Sequence, residues 1–253
     1  MNEVNGMAVV DRLLREHGMI AADETWVHGM WTPGKWWRCV RAKLAGKKLV
    51  RMTHGSLSPV YLERQGKWRK RLARPIERAL FAMADRVVVT CEAEREWCEK
   101  WGVKGPFEVV DLKRFFKIRD KREEIRDKME EGKELRVLYL GRRHPLKGVA
   151  ELEEAVRVTN LSDRLVTLRV VSDHFGEELE ADWRWADVLC LPTLSENFGL
   201  VVAEALERGV PVITTDGAPA WRGQEGVTYI EGYCDAGFEE RVKMLCKEIR
   251  DKR

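Results

Sequence analysis

The sequence predicts an α/β protein made of two domains, each built on a parallel β-sheet. Short runs of valine, isoleucine and leucine, bounded by turn residues, alternate with stretches of helical periodicity, a pattern typical of parallel sheets. The alternation is interrupted by an almost wholly charged stretch between Lys113 and Glu134 and then starts again. An apolar fraction of 44% in 253 residues supports a substantial core and argues against a disordered chain.

The first half, residues 1–112, alternates predicted strands with predicted helices. The strands are Thr25–His28, Leu49–Thr53, Arg86–Thr90 and Phe107–Val110. The helices are Trp36–Ala45, Pro75–Ala84 and Glu92–Trp101. Pro75 suits a first helical turn, where no backbone donor is needed, and Gly102 suits a helix C-terminus.

The second half, residues 113–253, repeats the alternation, and its charged opening stretch is predicted to contain the domain join and an exposed helix. The strands are Leu135–Leu140, Val166–Val171, Val188–Leu191 and Val210–Thr214. The helices are Val149–Val158, Gly199–Arg208 and the amphipathic Phe238–Arg253. The expected organisation is therefore two successive domains, 1–112 and 113–253.

Composition predicts a cytoplasmic protein without disulfides. No run approaches the roughly 18 consecutive apolar residues that cross a bilayer, and residues 1–20 carry charges where a signal peptide would be apolar. The six cysteines have neither CxxC spacing nor the Cys/His clusters of zinc sites, so we interpret them as reduced thiols.

The net charge is only +3, but basic residues are concentrated in one segment, Arg64–Arg78, which also contains Trp68. Basic and aromatic residues together favour contact with an anionic membrane surface. The alternative is a solvated helix face. A nucleic-acid site is disfavoured, because no recognised binding motif accompanies the charge.

Two loops are predicted to carry the chemistry, and the first follows the strand Val188–Leu191. Glu204 is the only charge between Phe198 and Leu206, so its helix is expected to be largely buried. A carboxylate there needs either a basic partner or the hydroxyl groups of a ligand. The alternative is a helix-surface glutamate at a gap in the packing. Free N–H groups where this helix begins would favour a phosphate.

The second loop, Gly141–Gly148, also follows a strand and precedes a helix. Arg142 and Lys147 could both reach a diphosphate. The alternative is a solvated basic loop.

Together these segments resemble the retaining GT-B glycosyltransferases called group 1 or family 4, which include lipopolysaccharide and exopolysaccharide enzymes. The family signature is two glutamates separated by seven residues, and Glu196 and Glu204 have that spacing. The resemblance covers about Thr25 to Gly232 and implies two Rossmann-like parallel-sheet domains. The first is expected to be incomplete, because the family's opening strand and glycine-rich loop are not found. The second is expected to be abbreviated between Asp173 and Trp183, near where family members recognise the base.

The resemblance also implies roles for individual residues. Glu196 would contact the donor sugar, Glu204 the ribose hydroxyls, and His54 the reacting sugar from the first domain. Arg142 and Lys147 would hold the diphosphate. The sugar or phosphates would meet the segment that opens the helix, namely Asn197, Phe198, Gly199 and Leu200. For His54, the alternative to a sugar-binding role is that it is an ordinary histidine at a strand end.

The reaction implied by the resemblance moves a sugar, with retention, from a nucleotide-diphosphate sugar to a lipopolysaccharide-core, lipid-linked or polysaccharide acceptor. No Asp-x-Asp motif is present, so neither a metal ion nor a cofactor is expected. The acceptor hydroxyl would attack the face from which the diphosphate leaves, without a protein nucleophile. The alternative is a catalytically incomplete nucleotide-sugar-binding subunit, or a degenerate transferase, that needs a partner to supply the missing N-terminal segment.

Overall fold

A computed structural model describes residues 6–64, 67–118, 134–161 and 165–251 of the chain. The chain divides into two compact units, Met1–Phe115 and Phe116–Arg253. Each unit contains a parallel sheet with flanking helices, which confirms the predicted α/β fold. The helix expected within the charged stretch falls largely on residues 119–133, outside the described residues.

Unit 1 contains, in the described residues, a four-stranded sheet in the order β1-β2-β3-β4. Its strands are β1 (Glu24–His28), β2 (Lys48–Met52), β3 (Arg86–Val89) and β4 (Phe107–Val109). Its helices are α1 (Gly6–Glu16), α2 (Pro33–Leu44), α3 (Pro59–Arg64), α4 (Lys67–Ala82) and α5 (Glu92–Trp101). All four predicted strands are confirmed. The apolar core lies between the sheet and the helices, where side chains such as Val27, Leu49 and Val88 are fully buried.

Two features of the unit 1 helices differ from the prediction. Helix α4 begins at Lys67, so Pro75 lies inside it and not in its first turn. Proline removes the hydrogen bond to the carbonyl one turn earlier, that of Arg71, and this is tolerated because both residues are exposed to water. Helix α1 was not predicted, because only Val10 and Leu14 of its eleven residues are buried. The predicted role of Gly102 is confirmed, since it ends α5 with φ 95°.

Unit 2 contains, over its described residues, a five-stranded parallel sheet in the order β6-β5-β7-β8-β9. Its strands are β5 (Leu135–Leu140), β6 (Val166–Val171), β7 (Val188–Leu191), β8 (Val212–Thr215) and β9 (Val227–Ile230). Its helices are α6 (Val149–Asn160), α7 (Glu177–Trp185), α8 (Leu200–Glu207) and α9 (Phe238–Arg250). The chain runs from β5 to β6 on one side and then returns to β7 on the other side of β5, so the strand order reverses between β5 and β7.

The predicted elements of unit 2 that fall on described residues are confirmed, but α7 and β9 were not predicted. Helix α7 occupies the interval between Asp173 and Asp187 that the sequence suggested was abbreviated. Strand β8 begins at Val212, not Val210, because Pro211 has no N–H to donate to a neighbouring strand.

Two general properties follow from the described residues. All six cysteines are free thiols, as predicted. None of the helices that the structure describes is long and apolar enough to cross a membrane.

Candidate functional site

The loops that follow β5 and β7 lie side by side at the point where the strand order of unit 2 reverses. Ligands of open parallel sheets bind beyond the carboxyl ends of the strands at such a point. The residues concerned are Gly141–Gly148 after β5 and Pro192–Gly199 after β7. The sheet topology therefore brings both predicted loops to one edge.

Backbone hydrogen bonds hold the two loops together. The Leu194 N–H donates to the carbonyl of Leu146 at 2.8 Å, and the Thr193 hydroxyl donates to the same carbonyl at 3.0 Å. On the other side, the Glu196 N–H donates to the carbonyl of Gly217 at 2.7 Å. The loop after β7 is therefore fixed on both flanks, and its side chains start from a rigid backbone.

Gly148 makes the close approach of these loops possible. Its φ of +66° lies in the left-handed region, and a Cβ atom there would collide with the carbonyl oxygen of Pro192. Gly217 has a similar role, because its Cβ would collide with the carbonyl of Thr193. Both positions therefore require glycine.

Replacing Gly148 with alanine is expected to lower the free energy of unfolding by about 3 kcal/mol, because it adds a backbone clash to the left-handed strain. Gly232→Ala is a matched control, since Gly232 has φ +73° with open space around its Cα. It should lose only about 1 kcal/mol. Urea denaturation of both variants measures the difference, and equal losses would contradict the clash.

Lys147 and Glu196 form an ion pair that joins the two loops. Both side chains are half-buried, with exposed fractions of 24% and 23%. The Glu196 carboxylate also accepts a hydrogen bond from the Asn197 N–H at 3.1 Å. The two residues were expected to hold different parts of a ligand, and the structure places them in contact. The two loops thus place a basic and an acidic side chain in direct contact at this edge of the sheet.

The start of α8 presents unused backbone donors next to this pair. Gly199, with φ 71° and ψ 69°, precedes the first helical residue. The N–H groups of Phe198, Gly199 and Leu200 donate to none of the residues that the structure describes. Together with the helix dipole, such groups favour an anion. This segment can therefore bind phosphate oxygens through its backbone.

The Phe198 side chain is a structural anchor and is not available to a ligand. It is buried against the rings of Phe116 and Trp221, with centroid distances of 6.0 and 4.9 Å. Its carbonyl accepts a hydrogen bond from the Trp221 indole N–H. Only the N–H of Phe198 remains for binding.

Glu204 lies in the second turn of α8, and its carboxylate is hydrogen-bonded to none of the described residues. Burial raises the pKa of Glu204 above its ordinary value, although the charge of Arg208 opposes this effect. Arg208 does not pair with that carboxylate, because its guanidinium donates to Glu180 and to the Glu204 carbonyl. A desolvated carboxylate is therefore available to accept hydrogen bonds.

Arg142 is the candidate that the structure does not bring to the others. Its side chain is exposed, and its carbonyl accepts a hydrogen bond from the Tyr139 hydroxyl at 3.1 Å. Among the described residues it makes no ion pair with Glu196 or Glu204. Lys147 is thus the better placed of the two predicted cations.

His54 lies in unit 1, directly after β2, and has an unusual backbone conformation with φ 50°. Its neighbours are held by Glu94 of α5, whose buried carboxylate accepts hydrogen bonds from Thr53 Oγ1 at 2.5 Å and from the Gly55 N–H at 2.7 Å. Its own Nε2 lies 2.8 Å from Nδ1 of His28, a contact that sequence reasoning missed. His28 is the last residue of the neighbouring strand β1. Its position at a strand end was the sequence signal that could have revealed this contact.

A metal site is not indicated within the part of the chain that the structure describes. No group of three or more histidine, cysteine, aspartate or glutamate side chains there could hold a metal ion.

Comparison with known families matches both halves of the chain. The family model described as "Glycosyl transferases group 1" matches residues 115–248, and the model described as "Glycosyl transferase 4-like domain" matches residues 6–112.

One curated relative and two solved structures illustrate the similarity. An uncharacterized 41.2 kDa protein in the cps region of Klebsiella pneumoniae is 26% identical over 197 residues. That match spans 69% of this chain and 54% of the relative, so the chain spans about half the length of the curated relative it matches.

The two structures share the fold at low sequence identity. Sucrose-phosphate synthase from Thermosynechococcus elongatus is 19% identical, with TM-score 0.61, over 96% of this chain and 68% of that one. WaaG, a glycosyltransferase involved in lipopolysaccharide biosynthesis, is 18% identical, with TM-score 0.57, over 99% of this chain and 76% of that one. The two parallel sheets and these neighbours define a GT-B fold. The chain belongs to the group 1 glycosyltransferase family.

Proposed function

We propose that this protein is a glycosyltransferase that moves a sugar, with retention, from a nucleotide-diphosphate sugar to a lipopolysaccharide-core, lipid-linked or polysaccharide acceptor. The observation that carries the proposal is the half-buried carboxylate of Glu204, which pairs with none of the described residues. A pair of ligand hydroxyls, such as those of a ribose, would supply the missing hydrogen bonds. The phosphates would then lie at the start of the same helix.

In this proposal each group of the site has a separate task. Lys147 and the N–H groups of Phe198, Gly199 and Leu200 stabilise the negative charge that grows on the departing diphosphate. Glu196 accepts hydrogen bonds from hydroxyls of the donor sugar. In unit 1, His54 has the separate task of binding a sugar hydroxyl. No metal ion, cofactor or protein nucleophile takes part, and the acceptor hydroxyl attacks the face from which the diphosphate leaves.

The acceptor class is supported by the descriptions of two similar proteins. WaaG is described as involved in lipopolysaccharide biosynthesis, and the Klebsiella relative as a protein of the cps region. We propose a surface-glycan acceptor for this chain on that ground.

Calorimetry with UDP-glucose, ADP-glucose and GDP-mannose tests donor binding directly. At least one of these nucleotide sugars should bind to the full chain, and release of the nucleoside diphosphate should follow when a glycolipid acceptor is added. Donor binding without transfer or hydrolysis, until a second protein is supplied, would favour the alternative of a binding subunit. Absence of binding by all three would contradict the proposal.

A second part of the proposal is peripheral contact with an anionic membrane, and the outer face of α4 supports it. Trp68, Leu72 and Ile76 are spaced one turn apart and are 64%, 70% and 45% exposed. The exposed arginines Arg69, Arg71 and Arg78 lie on the same helix. An apolar stripe beside basic residues is typical of helices that lie in the membrane interface.

The inner face of α4 is firmly anchored, so the stripe has a fixed orientation. Glu77 is fully buried and accepts a hydrogen bond from Arg51 at 2.9 Å. The same carboxylate accepts hydrogen bonds from the Trp31 N–H at 2.6 Å and from the Trp36 indole at 2.8 Å. The opposite face therefore points away from the sheet.

The double variant Trp68→Ser/Leu72→Ser should bind vesicles of phosphatidylcholine and phosphatidylglycerol at least tenfold more weakly, because each lost side chain removes about 1–2 kcal/mol of apolar burial. Leu161→Ser is the control, since Leu161 is 75% exposed on unit 2. It should sediment with vesicles as the wild type does. Unchanged sedimentation of the double variant would remove the membrane contact from the proposal.

A further inference from the structure

Three side chains from three elements of unit 1 form a hydrogen-bonded row that ends at His54. Asp11 belongs to α1, His28 ends β1, and His54 follows β2. Asp11 Oδ1 lies 3.1 Å from His28 Nε2, and His28 Nδ1 lies 2.8 Å from His54 Nε2. His28 thus uses a different nitrogen toward each of its two neighbours, and the direction of the row can be deduced.

The charge of Asp11 sets that direction. Burial acts to raise the pKa of Asp11, but hydrogen bonds and opposite charge from Arg15 and His28 outweigh it, so the pKa lies below its ordinary value. The Arg15 guanidinium donates to this carboxylate at 2.7 Å. An ionised carboxylate can only accept hydrogen bonds. His28 must therefore carry its proton on Nε2 and donate it to Asp11.

The proton positions in the contact between His28 and His54 follow in the same way. Burial lowers the pKa of His28, so the ring is neutral at neutral pH and its Nδ1 is a lone-pair acceptor. His54 must then carry its proton on Nε2 and donate it to His28. Burial lowers the pKa of His54 to about 3, helped by the charge that His28 gains on protonation at acid pH and by the charge of Lys35, so this ring is also neutral.

We propose that Asp11 and His28 are positioning residues that fix His54 in its Nε2–H form, so that Nδ1 of His54 accepts a hydrogen bond from a sugar hydroxyl. This inference rests on the proposed function. Nδ1 of His54 has no hydrogen bond to any described residue, and the side chain is half-buried, so Nδ1 is the end of the row that is left for a ligand. The unprotonated Nδ1 accepts a hydrogen bond from a hydroxyl. It repels a phosphate or carboxylate oxygen, because neither acceptor atom carries a proton to donate. His54 therefore selects a hydroxyl at this edge of unit 1.

The proton positions can be read directly by nitrogen NMR on the full chain with ¹⁵N-labelled histidine. In the wild type, His54 and His28 should both show a protonated Nε2 and an unprotonated Nδ1. In His28→Leu, which removes the acceptor, the His54 signals should shift toward a mixture of both forms. His28→Asn places an amide oxygen near the position of Nδ1 and should restore the single form. A wild-type His54 protonated on Nδ1 overturns the inference.

Kinetics then test the consequence for sugar transfer, with whichever of UDP-glucose, ADP-glucose or GDP-mannose binds. His28→Leu should lower kcat/KM about tenfold, the effect of one hydrogen bond, and His28→Asn should recover most of the loss. His17→Ala, at an exposed position just after α1, should change neither the His54 signals nor kcat/KM. Equal losses in both His28 variants, with the His54 form unchanged, would show a purely structural role. If no transfer is found, the NMR result still decides the His54 form, so failure of the proposed function and failure of this inference are distinguishable.

Discussion

Glu204→Gln is expected to raise the free energy of unfolding of the free protein by about 1 kcal/mol while weakening nucleotide-sugar binding about 100-fold. The two effects have opposite signs because the carboxylate is desolvated without a hydrogen-bonded partner among the described residues. An uncharged amide relieves that penalty in the free protein. The same amide loses the negative charge and replaces one acceptor oxygen with an NH2 donor, so two neighbouring hydroxyls can no longer each donate to a separate carboxylate oxygen.

The stabilising effect of Glu204→Gln should depend on pH. Burial raises the pKa of Glu204 in the folded state above its ordinary value of 4.5. The ionised side chain therefore disfavours folding at all pH values above the folded pKa. This penalty disappears as the pH falls through the folded pKa toward 4.5, where the folded side chain is protonated. The difference between wild type and variant should shrink over that acidic range.

Glu178→Gln is the matched control, because Glu178 is an exposed residue of α7. It should change neither denaturation nor binding measurably. If Glu204→Gln destabilises the protein and leaves the affinity unchanged, Glu204 is a structural residue and its assignment to the ligand is wrong.

Separating Lys147 from Glu196 should have a comparably large effect on turnover. Lys147→Ala is expected to lower kcat/KM about 100-fold or more, because it removes the cation proposed to face the phosphates and breaks the ion pair with Glu196. The loss of unfolding free energy should be small, about 1 kcal/mol, since both side chains keep contact with water.

The charge-swapped variant Lys147→Glu/Glu196→Lys separates the structural contribution of this pair from its chemistry. It restores opposite charges across the two loops, so most of the lost stability should return. Activity should not return, because a carboxylate would face the phosphates. Recovery of transfer in the swapped variant would mean that the pair only holds the loops together.

The strands could be predicted from sequence because buried parallel strands are continuous apolar runs, and β5, β6 and β7 were predicted within their observed limits. Helix α1 could not be predicted with equal clarity, because it buries only Val10 and Leu14. Pro75 misled the prediction of α4, since a proline is tolerated inside a helix where the freed carbonyl faces water.

For the candidate site, the sequence indicated individual residues but not how they pair. The spacing of Glu196 and Glu204 and the position of Lys147 are visible in the sequence. The ion pair between Lys147 and Glu196 depends on two loops brought together by the strand order, which the sequence pattern does not reveal. The link from His28 to His54 likewise arises from neighbouring strands that lie 26 residues apart in the chain.

The central claim is that the start of α8 binds the phosphates of a nucleotide sugar while Glu204 accepts its hydroxyls. Backbone amide NMR of the full chain during titration with UDP-glucose, ADP-glucose and GDP-mannose tests it most directly. For the nucleotide sugar that binds, the largest shifts should fall on the N–H groups of Phe198, Gly199 and Leu200 and should weaken strongly in Glu204→Gln. Saturable binding that leaves these three amides unshifted, or that is equally tight in Glu204→Gln, would contradict it.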